Sequence, residues 1–276
     1  MNFWKMHGLG NDYIVVDNMS EELKEEELHN LALKLCNRRF GIGADGLLLI
    51  CPSQKADVKM RIFNSDGSEA EMCGNGIRCL AKYCYENGLV RKDSFSVETL
   101  AGVKVLYLKI ENHAVKFVKV NMGSPNFEAD KIPMRWDGVF INNPINVEGK
   151  TLKATALSIG NPHCVIFVDD VENYPVEVVG PKLESHELFP KRTNVEFVQI
   201  VSKEKLKIRV WERGVGETLA CGTGACASVV AARILGKVNE AVTAELLGGM
   251  LTVKYNDDVV FMEGPAEKVF EGAINL

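Results

Sequence analysis

An internal repeat limits what this chain can fold into more than any other feature of its sequence. Segment 58–63 (VKMRIF) aligns without a gap with segment 206–211 (LKIRVW), 148 positions further on. The same offset places Cys73 on Cys221, and each of these cysteines begins a Cys-Gly-x-Gly motif that precedes a helix-like stretch. Two related halves predict two domains of one architecture.

Both halves read as mixed structure in which strands outnumber helices. Helical periodicity is found in segments 22–38, 77–87 and 225–235, and the last is apolar on almost every side, which predicts a buried helix. Strand patterns cover 13–17, 47–50, 58–63, 95–98, 104–110, 114–121, 164–168, 194–201, 206–211, 250–255 and 258–263. Because strand–helix–strand units do not recur regularly, a doubly wound parallel sheet is disfavoured. We therefore predict an α/β (α+β) chain with domains 1–121 and 122–264, and with residues 265–276 returning to the first domain.

Charge and composition exclude several classes of protein. The 32 Lys and Arg against 37 Asp and Glu give a net charge of −5 without a basic block, so neither nucleic acid nor an anionic membrane is an expected partner. No apolar run approaches the ~20 residues of a membrane helix, and no signal-peptide pattern is visible, so we expect a cytoplasmic protein. Eight cysteines without a C-x-x-C pair and five scattered histidines predict neither a disulfide scaffold nor a zinc site.

The two Cys-Gly-x-Gly motifs have a chemical meaning of their own. Their glycines allow a ligand to approach the backbone, and the helix behind them directs unpaired N–H groups and a positive dipole end at the loop. Such a loop binds a carboxylate and stabilises a thiolate, so both cysteines are expected to be more acidic than a free one. The other six cysteines have no matching loop, and we predict that they are core residues.

Two such loops predict acid–base chemistry on one carbon. If the halves face each other about a pseudo-twofold axis, Cys73 and Cys221 lie on opposite sides of one carbon atom. One of them, as a thiolate, removes a proton from that carbon, and the other, as a thiol, delivers a proton to its opposite face. Inversion of a tetrahedral carbon through a planar carbanion needs this arrangement, which a racemase or epimerase would use. The helix N-termini would stabilise the negative charge that spreads onto the carboxylate. We predict that neither a metal nor a cofactor is needed.

Several longer motifs, taken in order, resemble the diaminopimelate epimerase family over essentially the full chain. They are residues 6–13 (MHGLGNDY), 61–69 (RIFNSDGSE), 72–79 (MCGNGIRC), 160–163 (GNPH), 211–214 (WERG) and 220–224 (ACGTG). The resemblance implies two similar domains, each a curved, mostly antiparallel sheet around a central helix, with the substrate in the cleft between them. It implies a cofactor-independent isomerase of lysine and peptidoglycan-precursor synthesis that interconverts LL- and meso-2,6-diaminopimelate and works as a homodimer.

The resemblance also assigns residues to roles. Cys73 and Cys221 would be the two acid–base thiols, with His163 assisting the first and Glu212 the second. The implied substrate-binding positions are Asn11, Asn64, Gly74, Asn75, Asn161, Asn194, Glu212, Arg213, Gly222 and Thr223. Two positions depart from the family: Gly46 stands where a glutamine is common, and Phe270 stands where a tyrosine is common at the dimer contact.

The residue chemistry agrees with this substrate but leaves alternatives open. The repeat diverges where Asn64-Ser65 corresponds to Glu212-Arg213, which could bind an ammonium and a carboxylate of a diamino dicarboxylic acid. A racemase or epimerase of proline or hydroxyproline, and a redox or binding protein that pairs Cys73 with Cys221, remain possible. The G-x-G-x-x-G sequence at 41–46 is rejected as a dinucleotide site because it follows a helix and precedes a strand.

Overall fold

The computed structural model describes residues 1–275 of the 276-residue chain. Its strands are β1 (Asn2–Gly8), β2 (Asn11–Asp17), β3 (Gly46–Cys51), β4 (Val58–Asn64), β5 (Glu69–Ala70), β6 (Ser94–Thr99), β7 (Gly102–Glu111), β8 (Ala114–Gly123), β9 (Asn143–Val147), β10 (Lys150–Ser158), β11 (Pro162–Phe167), β12 (Asn194–Ser202), β13 (Lys205–Glu212), β14 (Gly216–Thr218), β15 (Ala241–Leu246), β16 (Gly249–Asn256), β17 (Val259–Gly264) and β18 (Glu267–Ala273). Its helices are α1 (Asn18–Glu21), α2 (Glu25–Cys36), α3 (Gly74–Glu86), α4 (Val176–Glu184) and α5 (Gly222–Ile234). Among residues 1–275, no helix has both the length and the apolar character needed to cross a membrane.

The chain separates into two compact units. The first unit contains Met1–Asn121 and the C-terminal residues from Glu263 onward, and the second contains Met122–Met262. In the C-terminal segment predicted to return to the first domain, residue 276 lies outside the described residues. Each unit has a hydrophobic core of its own, formed around Ile14 and Leu47 in the first and around Phe140 and Phe197 in the second.

The two units share one scheme of strand pairing. In the first unit β2 and β3 are parallel, β3 and β4 antiparallel, β4 antiparallel to β5 but parallel to β6, and β6 antiparallel to β7. In the second unit β11, β12, β13, β14, β15 and β16 repeat these pairings in the same order. The predicted fold class, a mixed α/β chain of two similar halves with mostly antiparallel strands, is confirmed.

One buried helix packs against the strands of each unit. Helix α3 packs against β1 to β4, and α5 packs against β10 to β13, β15 and β16. Eleven consecutive residues from Gly74 to Cys84 are buried in α3, and ten residues are buried in α5, as its apolar sequence predicts. Both helices begin directly after the cysteine of their Cys-Gly-x-Gly motif, three residues earlier than the hydrophobic periodicity predicts. The glycines of the first turn have no side chains and therefore do not contribute to that periodicity.

Strands β5, β9, β10, β14, β15 and β18 and helices α1 and α4 were not predicted from the sequence. Two further differences have clear physical reasons. The helix expected from residue 22 begins at Glu25, because Glu22 adopts a left-handed conformation with φ 50° and ends the short helix α1. Strand β1 was not predicted, because Lys5 interrupts its apolar alternation. Lys5 is nevertheless buried, since Asp12 on the neighbouring strand pairs with its ammonium group.

Substitution of Phe140 tests the hydrophobic core of the second unit. Its side chain is fully buried and its ring meets that of Trp136 edge to face, with 4.9 Å between the centroids. Phe140→Ala leaves a cavity and is expected to lower the free energy of unfolding by about 3–5 kcal/mol in urea titrations followed by circular dichroism. Phe40→Ala is the control, because Phe40 is 89% exposed and its loss should cost less than about 0.5 kcal/mol. Equal effects of the two substitutions would contradict this assignment of the core.

Candidate active site

Cys73 is the N-cap residue of α3, but its side chain makes no capping hydrogen bond and meets two residues of β2 instead. Its Sγ lies 2.8 Å from the Tyr13 hydroxyl and 3.6 Å from Asn11 Oδ1. The same Asn11 oxygen accepts the Tyr13 hydroxyl at 2.5 Å and the Asn75 side-chain amide at 3.3 Å. The structure thus brings together three residues of the predicted site, Cys73, Asn11 and Asn75, and adds Tyr13, which the sequence analysis did not select.

The amide of Asn11 is held in one orientation. Its Nδ2 donates to Asp45 Oδ2 at 2.8 Å, and the other oxygen of Asp45 accepts Arg38 Nη2 at 2.8 Å. An ionised carboxylate only accepts hydrogen bonds, so the nitrogen of Asn11 faces Asp45 and the oxygen faces Cys73. The loop before β3 therefore determines which atom of Asn11 the thiol meets.

Ion pairs with Asp12 anchor this loop to strands β1 and β2. Asp12 accepts Lys5 Nζ at 2.5 Å and both terminal nitrogens of Arg38 at 3.1 and 2.7 Å. Burial alone would raise the pKa of the Asp12 carboxyl, but hydrogen bonds from Arg38 and Lys5 outweigh burial and lower the pKa well below its usual range. Asp12 therefore remains ionised, and its pairs with Lys5 and Arg38 persist at neutral pH.

The other predicted positions of the first unit lie next to this group. Gly46 pairs with Tyr13 on one side and with Asn64 on the other, so the three residues lie side by side on β2, β3 and β4. Asn64 is exposed and donates its amide to Ser68 Oγ at 3.0 Å.

Gly74 and Asn75 form the first turn of α3, where backbone N–H groups have no acceptor within the helix. The fully buried guanidinium of Arg78 donates to Gly74 O at 2.9 Å and to Asn75 Oδ1 at 3.0 Å. It also donates to Pro265 O at 3.0 Å. Arg78 therefore holds the turn that follows Cys73 and connects it to the C-terminal segment of the first unit.

Cys221 occupies the equivalent position before α5, but its sulfur has different neighbours. Its Sγ accepts the Gly224 N–H at 3.3 Å and lies 3.5 Å from Thr223 Oγ1. Only 7% of Cys221 is exposed, whereas Cys73 is half-buried. Gly222 and Thr223 provide the first turn of α5, as Gly74 and Asn75 do in α3.

The expectation of an acidic thiol is wrong at Cys221. Burial, together with the negative charges of Glu212 and Glu196, raises the pKa of Cys221 well above that of a free cysteine. Hydrogen bonds from Thr223 and the Gly224 N–H act in the opposite direction but do not compensate. Helix geometry alone suggested the reverse, because a short sequence motif does not show how deeply the sulfur will be buried. Cys221 is therefore a neutral thiol at neutral pH.

His163 lies on β11 and is fully buried between Asn161 and Glu196. Its Nε2 is 2.9 Å from Asn161 Oδ1, and its Nδ1 is 2.7 Å from Glu196 Oε1. Asn161 and Glu196 thus hold the two ring nitrogens from opposite sides and fix the orientation of the imidazole. Glu196 is fully buried, and its carboxylate fits against α5 because Gly224 has no Cβ, which would lie 2.8 Å from Oε1.

Asn194 joins the ends of three strands in the second unit. Its Oδ1 accepts the backbone N–H of Arg213 at 2.9 Å, and its Nδ2 donates to Pro162 O at 2.9 Å. Glu212, the last residue of β13, accepts the Thr218 hydroxyl at 2.5 Å. The structure therefore connects Asn194 with Arg213 directly, and it places Glu212 close enough to Cys221 to affect the pKa of that thiol.

Comparison with known proteins identifies the family. The family model described as diaminopimelate epimerase matches residues 3–128 and 155–269, one stretch in each half of the chain. The chain belongs to the diaminopimelate epimerase family. It is 53% identical over 274 residues to the diaminopimelate epimerase of Pelotomaculum thermopropionicum, covering 99% of this chain and 98% of that protein. It is 50% identical over 279 residues to that of Methanococcus maripaludis, covering both proteins completely.

Solved structures share the fold at low sequence identity. A hydroxyproline epimerase from Agrobacterium vitis with bound trans-4-hydroxy-L-proline superposes with a TM-score of 0.73 at 14% identity, covering 99% of this chain and 91% of that one. A phenazine biosynthesis protein of the PhzF family from Bacillus anthracis gives 0.72 at 19% identity, covering 100% and 99%. These likenesses show that the chain shares its fold with both proteins.

The sequence contains signals for two site residues that the sequence analysis did not select, Tyr13 and Glu196. Aligning Asn11 with Asn161 places Tyr13 opposite His163, and the matching pairs Tyr13–Gly46 and His163–Asn194 show that the strands keep this equivalence. Glu196 places a carboxylate in the otherwise apolar strand segment 194–198, and a carboxylate is rarely buried in a strand unless it has a partner. The six cysteines outside the two loops are buried, as predicted for core residues.

No group of three or more His, Cys, Asp and Glu side chains within residues 1–275 is arranged to hold a metal ion. The candidate site contains thiols, carboxylates, amides and one imidazole. The thiols, carboxylates and imidazole can bind or move a proton, the amides can donate or accept hydrogen bonds, and the helix N-termini add backbone donors for a carboxylate.

The raised pKa of Cys221 leads to a pH prediction. Iodoacetamide alkylation of Cys221, measured by peptide mass spectrometry, should be slow at neutral pH and rise with a midpoint above the ~8.5 of an ordinary cysteine. Glu212→Gln removes a nearby negative charge and should lower this midpoint by about one pH unit. Glu204→Gln, at an exposed position of the same unit, should not change it. A wild-type midpoint at or below 8.5 would contradict the assignment.

Proposed function

We propose that this protein interconverts LL- and meso-2,6-diaminopimelate by proton transfer at one α-carbon, without a cofactor. The observation that carries the proposal is the repeated placement of a cysteine directly before a buried helix, in Cys73 and Cys221, within a chain of the diaminopimelate epimerase family. Identity of about 50% over the full length to diaminopimelate epimerases supports the substrate. The enzyme is accordingly an isomerase, and it would act in lysine and peptidoglycan-precursor synthesis.

The proposed reaction uses the two thiols in different protonation states. Cys73, as a thiolate, takes the α-proton and becomes a thiol, leaving the electron pair on the α-carbon and the adjacent carboxylate. Cys221, as a thiol, gives its proton to the opposite face and becomes a thiolate. The protons balance, and the configuration at that carbon is inverted. The burial of Cys221 supports this order, because a neutral thiol is the form that can donate.

Backbone groups at the two helix starts are proposed to carry the charge of the intermediate. Gly74 and Asn75 begin α3, and Gly222 and Thr223 begin α5. Their N–H groups would bind the reacting carboxylate, whose negative charge increases as the carbanion forms. Donors held in place by a packed helix need no rearrangement during the reaction, so they favour the transition state over the substrate.

Charged and amide side chains are proposed to bind both ends of the substrate. Arg213 can take a carboxylate with its planar guanidinium, and Glu212 can bind an ammonium group. The remaining positions are neutral amides that can donate or accept, namely Asn11, Asn64, Asn161 and Asn194. The buried Asn194 also orients Arg213 through its backbone N–H, so its loss should disturb binding even without direct contact to the substrate.

His163 and Glu212 are proposed to assist the thiols. His163 would assist Cys73, and its hydrogen bonds to Asn161 and Glu196 support a role in which the ring keeps one orientation. Glu212 would assist Cys221, because its charge favours the thiol form of that residue and its carboxylate is held by Thr218. Glu196 joins this proposal as the carboxylate behind His163.

Proton exchange distinguishes the candidate substrates. Incubation in deuterated water is expected to place deuterium at an α-carbon of diaminopimelate, detected by mass spectrometry, and not at that of proline or hydroxyproline. Cys73→Ala and Cys221→Ala should each lower the inversion rate at least about 1000-fold, because each removes one of two essential proton carriers. EDTA and hydroxylamine, which remove metals and trap pyridoxal phosphate, should leave wild-type activity unchanged.

Three outcomes of this experiment would reject the proposal. Deuterium incorporation at the α-carbon of proline, without incorporation into diaminopimelate, would favour an imino-acid racemase. Full inversion activity in Cys221→Ala would contradict the two-thiol mechanism. If Cys73→Ser kept full activity under fully reducing conditions, Cys73 would not be a proton carrier, and the result would favour a redox role for the pair.

We further propose that residues 1–121 with 265–276 and residues 122–264 are two epimerase domains, and that the protein is a cytoplasmic homodimer. The exposed apolar side chains of Val269 and Phe270 on β18, which are 57% and 46% exposed, support an interface on this strand. Light scattering is expected to give twice the 30.5 kDa of the chain. Phe270→Glu should produce a monomer, whereas Phe40→Glu, at another exposed phenylalanine, should not. A wild-type protein of 30.5 kDa in solution would contradict the dimer.

A further inference from the structure

The hydroxyl of Tyr13 has two possible acceptors and only one hydrogen. It lies 2.5 Å from Asn11 Oδ1 and 2.8 Å from Cys73 Sγ, and Tyr13 itself is only 4% exposed. The oxygen of Asn11 cannot turn away, because its amide nitrogen is bound to Asp45. Tyr13 can therefore donate to the amide or to the sulfur, but not to both at once.

We propose that Tyr13 is a further catalytic residue, whose hydroxyl moves its hydrogen bond between Asn11 and Cys73 as the cysteine loses and regains its proton. When Cys73 is a thiol, its S–H donates to the phenol oxygen and the phenol O–H donates to Asn11. When Cys73 is a thiolate, the phenol O–H turns and donates to the sulfur. Tyr13 keeps its proton throughout, and no covalent bond at Tyr13 forms or breaks. The inference rests on the proposed role of Cys73 as a proton carrier.

The surroundings keep Tyr13 protonated in both states. Burial, and secondarily the charge of Cys73, raises the pKa of the Tyr13 hydroxyl well above 10. The other ionisable groups that act on Tyr13 are Cys79 on α3 and Asp45 before β3. Burial raises the pKa of Cys79 to about 12, and Asp45 is paired with Arg38. Cys73 is therefore the neighbouring group whose protonation state the hydroxyl can follow.

The switch would couple thiolate formation to substrate binding. When the hydroxyl turns to the sulfur, Asn11 Oδ1 loses its shortest hydrogen bond and keeps the Asn75 amide at 3.3 Å. The freed lone pair can then accept a donor from the substrate, such as an ammonium group. By linkage, a substrate that binds Asn11 would favour the thiolate form of Cys73, which is the form that accepts the α-proton.

Gly46 and the internal repeat both support a special role for Tyr13. A Cβ at position 46 would lie 3.3 Å from Tyr13 Cε1 and 2.9 Å from Phe63 O, so glycine leaves room for the phenol ring to reach Cys73. In the repeat, Tyr13 occupies the place of His163 in the second unit, where the side chain also bonds to an asparagine two residues before it. A polar ring next to the Gly-Asn motif is thus a feature of both units.

The test compares Tyr13→Phe with Tyr83→Phe as the pH dependence of Cys73 alkylation, measured without substrate. Phe keeps the ring but removes the donor to the thiolate, so the alkylation midpoint in Tyr13→Phe should rise by about one pH unit. Tyr83 is also buried, and its ring packs on Trp4 rather than on Cys73, so its midpoint should equal that of the wild type. An unchanged midpoint in Tyr13→Phe would overturn the proposal.

A second variant distinguishes loss of the hydrogen bond from a folding defect in Tyr13→Phe. Replacement of Tyr13 by 3-fluorotyrosine keeps the hydroxyl and makes it a stronger donor, so the midpoint should fall below that of the wild type. A midpoint that rises or stays constant would overturn the proposal. The acidic limb of the kcat/KM profile should follow both shifts, with Tyr13→Phe about tenfold slower below the wild-type midpoint and close to wild type well above it.

The alkylation assay separates the two levels of proposal. If the wild type does not exchange the α-proton of diaminopimelate but the midpoint still shifts, the proposed function fails while the hydrogen-bond switch stands. If the wild type epimerises diaminopimelate and the midpoint does not shift, the switch alone fails.

Discussion

The proposed chemistry of this protein depends on a cysteine placed directly before a buried helix, once in each unit. Cys73 and Cys221 are the N-cap residues of α3 and α5, so each lies at the end of the helix that carries the positive dipole and the first-turn N–H groups. The strands packed around each helix keep this turn rigid. Small residues make the arrangement possible, since Gly224 leaves space for the carboxylate of Glu196 beside α5.

The two units have one architecture but give their thiols different surroundings. Cys73 is half-buried and meets Tyr13 and Asn11, whereas Cys221 is buried and affected by Glu212 and Glu196. A repeat that remained symmetric would favour the same protonation state in both halves. Divergence of the neighbours supports the proposal that one thiol accepts a proton and the other donates one.

Predictions from the sequence succeeded where one pattern governs a whole segment. The all-apolar stretch 225–235 predicted the buried helix α5, and the aligned segments 58–63 and 206–211 predicted equivalent strands β4 and β13. They failed at β1, where a buried ion pair replaces an apolar residue with Lys5. Of the candidate site, the motif residues could be selected from the sequence, and signals for Tyr13 and Glu196 were present there. The contacts of these two residues could not be predicted, because they involve side chains distant in sequence.

The sequence alone determined the repeat, the two thiol loops and the family, because these depend on residue types at fixed spacing along the chain. Only the tertiary structure decided how each thiol is solvated and bonded, because burial and hydrogen bonding depend on segments far apart in the chain. Asp45 orients Asn11 across 34 positions of sequence, and Tyr13 reaches Cys73 across 60. Burial beside Glu212 reverses the acidity that the helix start suggested for Cys221, since desolvation and like charge there outweigh the helix N-terminus.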